Sequence, residues 1–240
     1  MDYFRNIVVV AAIAGAIAGL GMTVAQQFTT VPLILKAEMY EQGGEVSAHS
    51  HGENSKNAAA QTEATAPEEE EGWAPSDGFE RTAFSVAANL VTGIGFALLL
   101  VVASELFGGI RDWRQGVFWG LAAFVVFTLA PGLGLPPELP AMPAAELGSR
   151  QLWWIGTVVA ASIALWLLFC QGSLPGIVVA MALLVAPHII GAPQPESFET
   201  PIPEGLHHSF MVAVVLTTLV FWVLLGGLAG YFRDRFMATS

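Results

Sequence analysis

The sequence predicts an all-α fold, a polytopic bundle of transmembrane helices. Hydrophobic residues make up 54% of the 240 residues and charged residues only 12%, and the mean hydropathy is +0.61. Soluble domains carry about 25% charged residues, and a soluble fold of this length cannot bury so much apolar surface. The apolar runs are continuous and do not alternate with polar residues, which favours helices over a transmembrane barrel.

Six charge-free stretches are candidates for membrane spans, since a spanning helix needs about 20 mostly apolar residues. The third and fifth stretches are short, and each ends at an Ala-Pro pair, Ala130-Pro131 and Ala186-Pro187. We predict one membrane domain over 1–240. Its candidate spans run roughly over 7–28, 83–104, 115–131, 151–170, 174–190 and 208–231.

The first stretch has two interpretations. Thr23-Val24-Ala25 is an acceptable cleavage site, so the segment could be a signal peptide. Its apolar run is longer than the roughly 7–15 residues of signal cores. Gly15 and Gly19 also form a small-xxx-small pair suited to helix packing. We therefore favour a retained helix.

Small and polar residues inside the other spans indicate how the helices pack. Gly116 with Gly120, and Gly226 with Gly230, repeat the small-xxx-small spacing and predict close helix approach. The few polar side chains within spans either line a pathway or hydrogen-bond between helices, and we favour the second role for most of them. They are Gln26, Gln27, Asn89, Thr92, Ser162, Thr217 and Thr218.

The distribution of charge predicts the orientation. With the N-terminus inside, the inner segments hold five basic and four acidic residues, and the outer segments hold four basic and sixteen acidic residues. The short connections 106–114 and 232–240 carry Arg, as the positive-inside rule expects. Both termini are therefore predicted to be cytoplasmic. Glu105, near the inner end of its span, is expected to reach toward Arg111 or Arg114.

One long polar loop separates the first two spans. Residues 42–72 are rich in Ala, Glu, Ser and Asn, with four consecutive glutamates at 68–71. They contain almost no large apolar side chains and cannot bury enough surface to offset the entropy of ordering. We predict a disordered acidic periplasmic loop here. Its apolar flanks, 31–35 and 73–79, are expected at the membrane interface.

The outer loops after the third and fifth spans resemble each other weakly. Each carries an Ala-Pro pair followed by a second Pro-rich segment, Pro136-Pro137-Glu138 in one and Pro193-Gln194-Pro195-Glu196 in the other. The pattern indicates either a repeated helical hairpin, with the loops gathered outside, or a coincidence.

All five histidines lie outside the predicted spans or at their outer boundary. His49 and His51 stand two residues apart beside Glu53, and two imidazoles with a carboxylate suit Co²⁺, Ni²⁺, Cu²⁺ or Zn²⁺. The alternative is a polar loop that happens to contain two histidines. His188 follows Pro187, where an ionisable group is either functional or bonded to a carbonyl or water at the interface.

A composite entry site is one way to combine these groups. His207 opens the last span and could join His188, with Glu138 or Glu196 supplying oxygen. The candidate metal ligands are therefore His188, Glu138, Glu196, His207, His49 and His51.

Other classes of function are excluded by the sequence. Walker, His-Glu-x-x-His and Gly-x-Ser-x-Gly motifs are absent, so we expect no enzyme and no permanently bound cofactor. Cys170 is the single cysteine, which excludes a disulfide scaffold. A net charge of −11 speaks against nucleic-acid binding, because phosphate contacts need clustered Lys and Arg.

Several segments, taken in order, resemble one family. They are the first helix ending at Gln26-Gln27, then 73–78, 133–140, 150–154 and 186–193. In these segments the chain resembles the predicted cobalt transporter subunit CbtA family of bacterial inner-membrane proteins, over almost its whole length apart from 42–72. The resemblance implies a cobalt permease linked to cobalamin synthesis. It also implies a small one-span His-rich partner, CbtB.

That family is commonly described with fewer than six spans, so one of the short segments could be re-entrant. The orientation of the C-terminus would then be open. No agreed binding residues come with the family, so the candidate ligands depend on their chemistry alone.

Three functions are compatible with these observations. The first is import of Co²⁺ through the inner membrane, with Ni²⁺ possible because it shares the same ligands. The second is a membrane scaffold or accessory subunit that transports nothing. It is favoured by the lack of carboxylates in the middle of the spans, which many cation transporters bury. The third is a membrane enzyme that uses Glu138, Glu196 and His188 at the outer face.

Overall fold

A computed structural model of the chain describes residues 2–50, 75–76 and 78–237, without the side chains of residues 2, 42–50 and 237. Seven helices and no strand occur in this part of the chain. They are α1 (Asp2–Phe28), α2 (Val31–Ser50), α3 (Phe79–Glu105), α4 (Trp113–Gly132), α5 (Leu147–Gln171), α6 (Leu174–Ile190) and α7 (Glu204–Met237).

Five of the helices, α1, α3, α4, α5 and α7, are long and apolar enough to cross a membrane. The sixth candidate, α6, has 17 residues. At 1.5 Å per residue it extends over about 26 Å, close to the roughly 30 Å of the hydrocarbon core. The all-α polytopic bundle predicted from the sequence is confirmed.

The α5–α6 hairpin shows that α6 runs back along α5. The indole Nε1 of Trp153, near the start of α5, donates to the carbonyl of Pro187, near the end of α6, at 3.2 Å. The hairpin packs on α4 through Val126, Ala130 and Ala161. It therefore lies beside the main bundle.

The main core is formed by α1, α3, α4 and α7. Its centre consists of fully buried apolar side chains such as Val10, Val101 and Leu225. Trp222 of α7 joins α3 and α4 in an aromatic cluster, stacked on Phe127 with ring centroids 5.6 Å apart. Its indole Nε1 donates to Thr128 Oγ1 at 3.1 Å.

Glycine pairs allow two of these helix contacts to be backbone to backbone, as the small-xxx-small spacing predicted. A Cβ added to Gly15 would lie 2.5 Å from the Cα of Ile94, so α1 rests directly on α3. A Cβ on Gly120 would lie 3.3 Å from the Cα of Gly226, which shows the same arrangement between α4 and α7. Any side chain at these glycines would separate the helices.

Two helices contain a wide π turn. In α4 it covers Val125–Leu129, and Pro131 follows after Ala130. Proline cannot donate to the carbonyl four residues earlier, and its ring clashes with that carbonyl, so the wider turn accommodates it without ending the helix. In α5 the π turn covers Leu167–Gln171 and ends at Gly172, whose φ of 57° is left-handed.

The long polar loop is described only in part. The backbone of 42–50 is helical and continues α2, which differs from the disorder expected at that end of the loop. The physical reason is that Ala37 anchors the first turns of α2 in a buried cluster, and helix propagation costs little once a helix has started. Residues 51–72 lie outside the described residues.

The two ends of the bundle differ in what they contain. At one end, Asn6 Nδ2 of α1 donates to the carbonyl of Phe236 of α7 at 3.5 Å, so both termini are there. We call it the terminus end. The opposite end holds α2 and the connections 133–146 and 191–203, and we call it the loop end.

Candidate functional site

The two Pro-rich connections lie side by side at the loop end. Leu139 of the first and Ile202 of the second are buried together with Ala37 of α2. Thr200 Oγ1 donates to the carbonyl of Ala141 at 3.2 Å, which links the two connections directly. Polar residues from two distant parts of the chain are thereby collected at one place.

This packing brings His207 of α7 against the connection that carries Glu138. His207 Nε2 lies 3.2 Å from the carbonyl oxygen of Pro137, the residue before Glu138. A carbonyl only accepts, so Nε2 is the donor in this contact. The carboxylate of Glu138 pairs with Arg150 Nη2 at 3.1 Å.

Arg150 is a residue of the site that reasoning from the sequence did not identify. It sits in the first turn of α5, and its guanidinium neutralises Glu138. A metal ion that binds Glu138 must therefore displace Arg150 or approach the carboxylate from its other side. The charge of Arg150 was visible in the sequence, but its partner depends on how α5 meets connection 133–146.

His188 occupies a half-buried position against Trp153. The two rings meet edge to face with their centroids 5.9 Å apart. Trp153 also lies against the backbone of Gly134. A Cβ added to Gly134 would lie 2.7 Å from Cζ2 of Trp153 and 3.2 Å from the Cβ of Ala192. Trp153 thus bridges connection 133–146 and the end of α6, a role that the sequence did not reveal.

Among the remaining candidate ligands, only the side chain of Glu196 is described. Glu196 is exposed in connection 191–203. His51 lies outside the described residues, and the side chain of His49 is not described. Among the described residues, no three His, Cys, Asp or Glu side chains are close enough together to hold a metal ion.

Glu146 has a structural task at the start of α5. Its carboxylate accepts hydrogen bonds from Ser149 Oγ at 2.6 Å and from the backbone N–H groups of Ser149 and Gly148. The bonds from Ser149 and then from Gly148 hold the pKa of Glu146 below its usual value. The cap is therefore present at neutral pH and is lost only when pH falls through that lowered pKa.

Polar residues within the spans hydrogen-bond between helices. Asn89 Nδ2 of α3 donates to Thr23 Oγ1 at 3.0 Å and to Gln26 Oε1 at 2.6 Å, both on α1. The hydroxyls of Thr29 and Thr217 are 2.9 Å apart and join the end of α1 to α7. For these residues the role in helix packing is confirmed.

At the terminus end, Glu105 pairs with a residue other than the expected ones. Arg233 of α7 donates to its carboxylate from Nε at 2.5 Å and from Nη2 at 2.9 Å. Arg111 and Arg114 are exposed, so the expectation that Glu105 reaches toward them is wrong. The reason is tertiary: α7 packs beside α3 and brings a guanidinium closer than the following connection does.

Five apolar helices of spanning length, four of them around one buried core, define a multi-pass helical membrane protein. A family model described as Probable cobalt transporter subunit (CbtA) matches residues 4–234, nearly the whole chain. The chain therefore belongs to the CbtA family, and the family name describes a cobalt transporter subunit. Comparison with curated proteins gave no match, and comparison with solved structures gave none.

Proposed function

We propose that the chain is the membrane subunit of a permease that imports Co²⁺ across the bacterial inner membrane. The family supports cobalt as the transported ion. One observation carries the proposal of an entry site at the loop end. His207 of α7 contacts the carbonyl of Pro137, the residue before Glu138 of connection 133–146, which supports a site that uses both side chains.

The proposed entry begins with the acidic outer face, which raises the local concentration of cations. His49 and His51 collect the ion and pass it to an entry site formed by His188, Glu138, Glu196 and His207. Removing water from a divalent ion is costly, so several ligands have to replace the hydration shell. Glu138 exchanges its partner Arg150 for the ion in this step.

A second subunit completes the proposed permease. The described residues do not by themselves collect three metal-binding side chains, and the family is named as a subunit. Both facts support a partner that contributes ligands, and a small single-span His-rich CbtB-like chain fits that task. The lipid bilayer surrounds the exposed apolar faces of α3, α5 and α6.

The proposed orientation puts the loop end in the periplasm and both termini in the cytoplasm. The basic residues Arg5, Arg111, Arg114 and Arg235 all belong to the terminus end, which supports this orientation under the positive-inside rule. Nickel shares the ligand preferences of cobalt, so Ni²⁺ is the ion to test as a competitor.

Elemental mass spectrometry of cellular cobalt tests the proposal. Cells without their own cobalt uptake system express the chain alone, or with a small His-rich partner, in low cobalt with and without nickel. We expect cobalt accumulation that requires this chain and increases with the partner. No accumulation in either strain, with the protein present in the membrane, would favour the non-transporting scaffold instead.

The same assay tests His188. His188→Ala is expected to reduce cobalt accumulation at unchanged protein abundance, because a ligand of the entry site is lost. The control is Glu199→Gln, an exposed residue of the connection that follows α6 and not a proposed ligand. Equal accumulation in His188→Ala and the parent would remove His188 from the site.

A further inference from the structure

Four elements meet in one polar cluster at the terminus end. Arg233 of α7 makes two hydrogen bonds to Glu105 of α3 and donates from Nη1 to the carbonyl of Ile110 at 2.6 Å. Tyr3 of α1 donates its hydroxyl to the same Glu105 carboxylate. We call this set, Tyr3, Glu105, Ile110 and Arg233, the Arg233 latch.

The connection between α3 and α4 is shaped to receive the guanidinium. Gly108 and Gly109 have φ of 88° and 75°, a left-handed conformation that turns the Ile110 carbonyl toward Arg233. Gly109 also packs against the guanidinium of Arg233. A Cβ added to Gly109 would lie 3.0 Å from Arg233 Nε and closer still to Cζ and Nη2 of the same side chain. Nothing lies within 4 Å of a Cβ placed on Gly108.

The ion pair of the latch is largely withdrawn from solvent, whereas Tyr3 is exposed. The side chains of Arg233 and Glu105 are only 13% and 16% exposed. Breaking such an ion pair costs free energy, because removing one partner leaves the other charge buried and uncompensated.

Directly behind the latch the bundle is closed by apolar packing. Val101, Ser104, Ile110 and Leu225 are essentially inaccessible. The side chains of Val101, Ile110 and Leu225 offer a divalent ion no oxygen or nitrogen ligand, and the hydroxyl of Ser104 is engaged with the carbonyl of Val101 at 2.7 Å, so this end is closed in the structure.

The latch also joins two helix pairs that share the main core. The backbones of α1 and α3 touch at Gly15 and Gly93, and those of α4 and α7 touch at Gly116, Gly120 and Gly226. Each glycine-packed pair is a rigid body, since its helices cannot slide without steric overlap. Tyr3 and Glu105 belong to the first pair and Arg233 to the second, so the latch ties the two pairs together at the terminus end.

We propose that the Arg233 latch is the inner gate of the protein. When it opens, the α1–α3 pair and the α4–α7 pair separate at the terminus end, a rigid-body movement of the kind known from other switching proteins. The transported ion leaves through the gap. This inference depends on the proposed transport function, but the closure of the gate is measured without cobalt.

Cysteine labelling measures the gate directly. Cys170→Ser removes the single cysteine, and Ser104→Cys then places a thiol one residue from Glu105 in a buried position. The reagent is a membrane-impermeant maleimide added to membrane vesicles of each orientation. We expect slow labelling of Ser104→Cys in the parent. Glu105→Gln should accelerate it about tenfold from the terminus-end side, equivalent to about 1.4 kcal/mol.

Two neighbouring glycines provide a matched pair of variants. Gly109→Ala puts a methyl group where the guanidinium of Arg233 lies. It should therefore accelerate labelling of Ser104→Cys, as Glu105→Gln does. Gly108 also has a left-handed φ, but a methyl group on it meets open space, so Gly108→Ala controls for backbone strain. Ser104→Cys should be labelled more slowly in Gly108→Ala than in Gly109→Ala.

A second reporter separates opening of the gate from unfolding. Thr157→Cys lies in a buried position of α5, in the hairpin beside the main bundle. It should stay protected in every variant. Faster labelling of both Ser104→Cys and Thr157→Cys would show general loss of structure and would overturn the proposal. Unchanged labelling of Ser104→Cys in both Glu105→Gln and Gly109→Ala would overturn it as well.

The labelling result and the cobalt assay are independent. Cobalt accumulation by the parent, combined with unchanged labelling in the variants, would mean that transport is real and the latch is not its gate. Accelerated labelling without any cobalt accumulation would mean that the latch closes the bundle but that the proposed ion or direction is wrong.

Discussion

His207 and His208 show how one step along a helix separates two similar residues. Adjacent residues on a helix point about 100° apart. His207 turns toward connection 133–146 and contacts the Pro137 carbonyl, whereas His208 is exposed on the outer surface of α7. His207 therefore contacts the connection that carries Glu138.

This difference gives a matched test. His207→Ala is expected to lower cobalt accumulation, because it removes a proposed ligand and the contact between α7 and the first outer connection. His208→Ala removes an imidazole from the surface and should leave accumulation unchanged. Cellular cobalt and membrane abundance are measured for both variants. Equal effects of the two substitutions would contradict the assigned role of His207.

At the scale of elements, the glycine faces decide which helices touch. Gly120 has no room for a methyl group because the backbone of α7 lies against it. Gly156 of α5 faces open space. The same chemical change therefore has opposite consequences at the two positions.

Gly120→Ala should destabilise the protein by about 1–3 kcal/mol, the usual cost of overpacking. Gly156→Ala should be neutral or stabilise by up to about 1 kcal/mol, because alanine lowers the backbone entropy of the unfolded chain. Thermal denaturation of the purified protein in detergent compares the two. A melting temperature of Gly120→Ala at or above that of Gly156→Ala would rule out the close α4–α7 contact.

At the scale of the whole molecule, the path of the chain depends on α6. This helix is the shortest of the apolar helices, and it returns the chain along α5 to the loop end. Because α7 starts at the loop end and finishes near Asn6, both termini lie at one end of the bundle. An even number of crossings follows if α6 spans the bilayer.

Reporter fusions test this topology. A reporter active only in the cytoplasm, joined after Gly172 or at the C-terminus, should be active, and one inserted after Gln194 should be silent. A reporter active only in the periplasm should give the reverse pattern. If α6 is re-entrant, the fusion after Gln194 will report the same side as the fusion after Gly172.

The sequence by itself determined the class of fold and the family. Continuous apolar runs have one stable arrangement in lipid, because helices satisfy their own backbone hydrogen bonds. The glycine spacing at Gly15 and Gly116 likewise predicted close packing, since the spacing of small residues is a local property of a helix. Prolines and acidic residues placed the connections 133–146 and 191–203 outside the apolar runs.

The tertiary structure alone decided which side chains pair with one another. Glu105 could be assigned to a nearby arginine from the sequence, yet it pairs with Arg233, 128 positions away. Arg150 neutralises Glu138, and Trp153 supports His188, because α5 and α6 fold against connection 133–146. Charge pairing and ring contacts depend on distance in space. Helix periodicity sets which side chains share a face, but only the packing of one helix on another sets which faces meet.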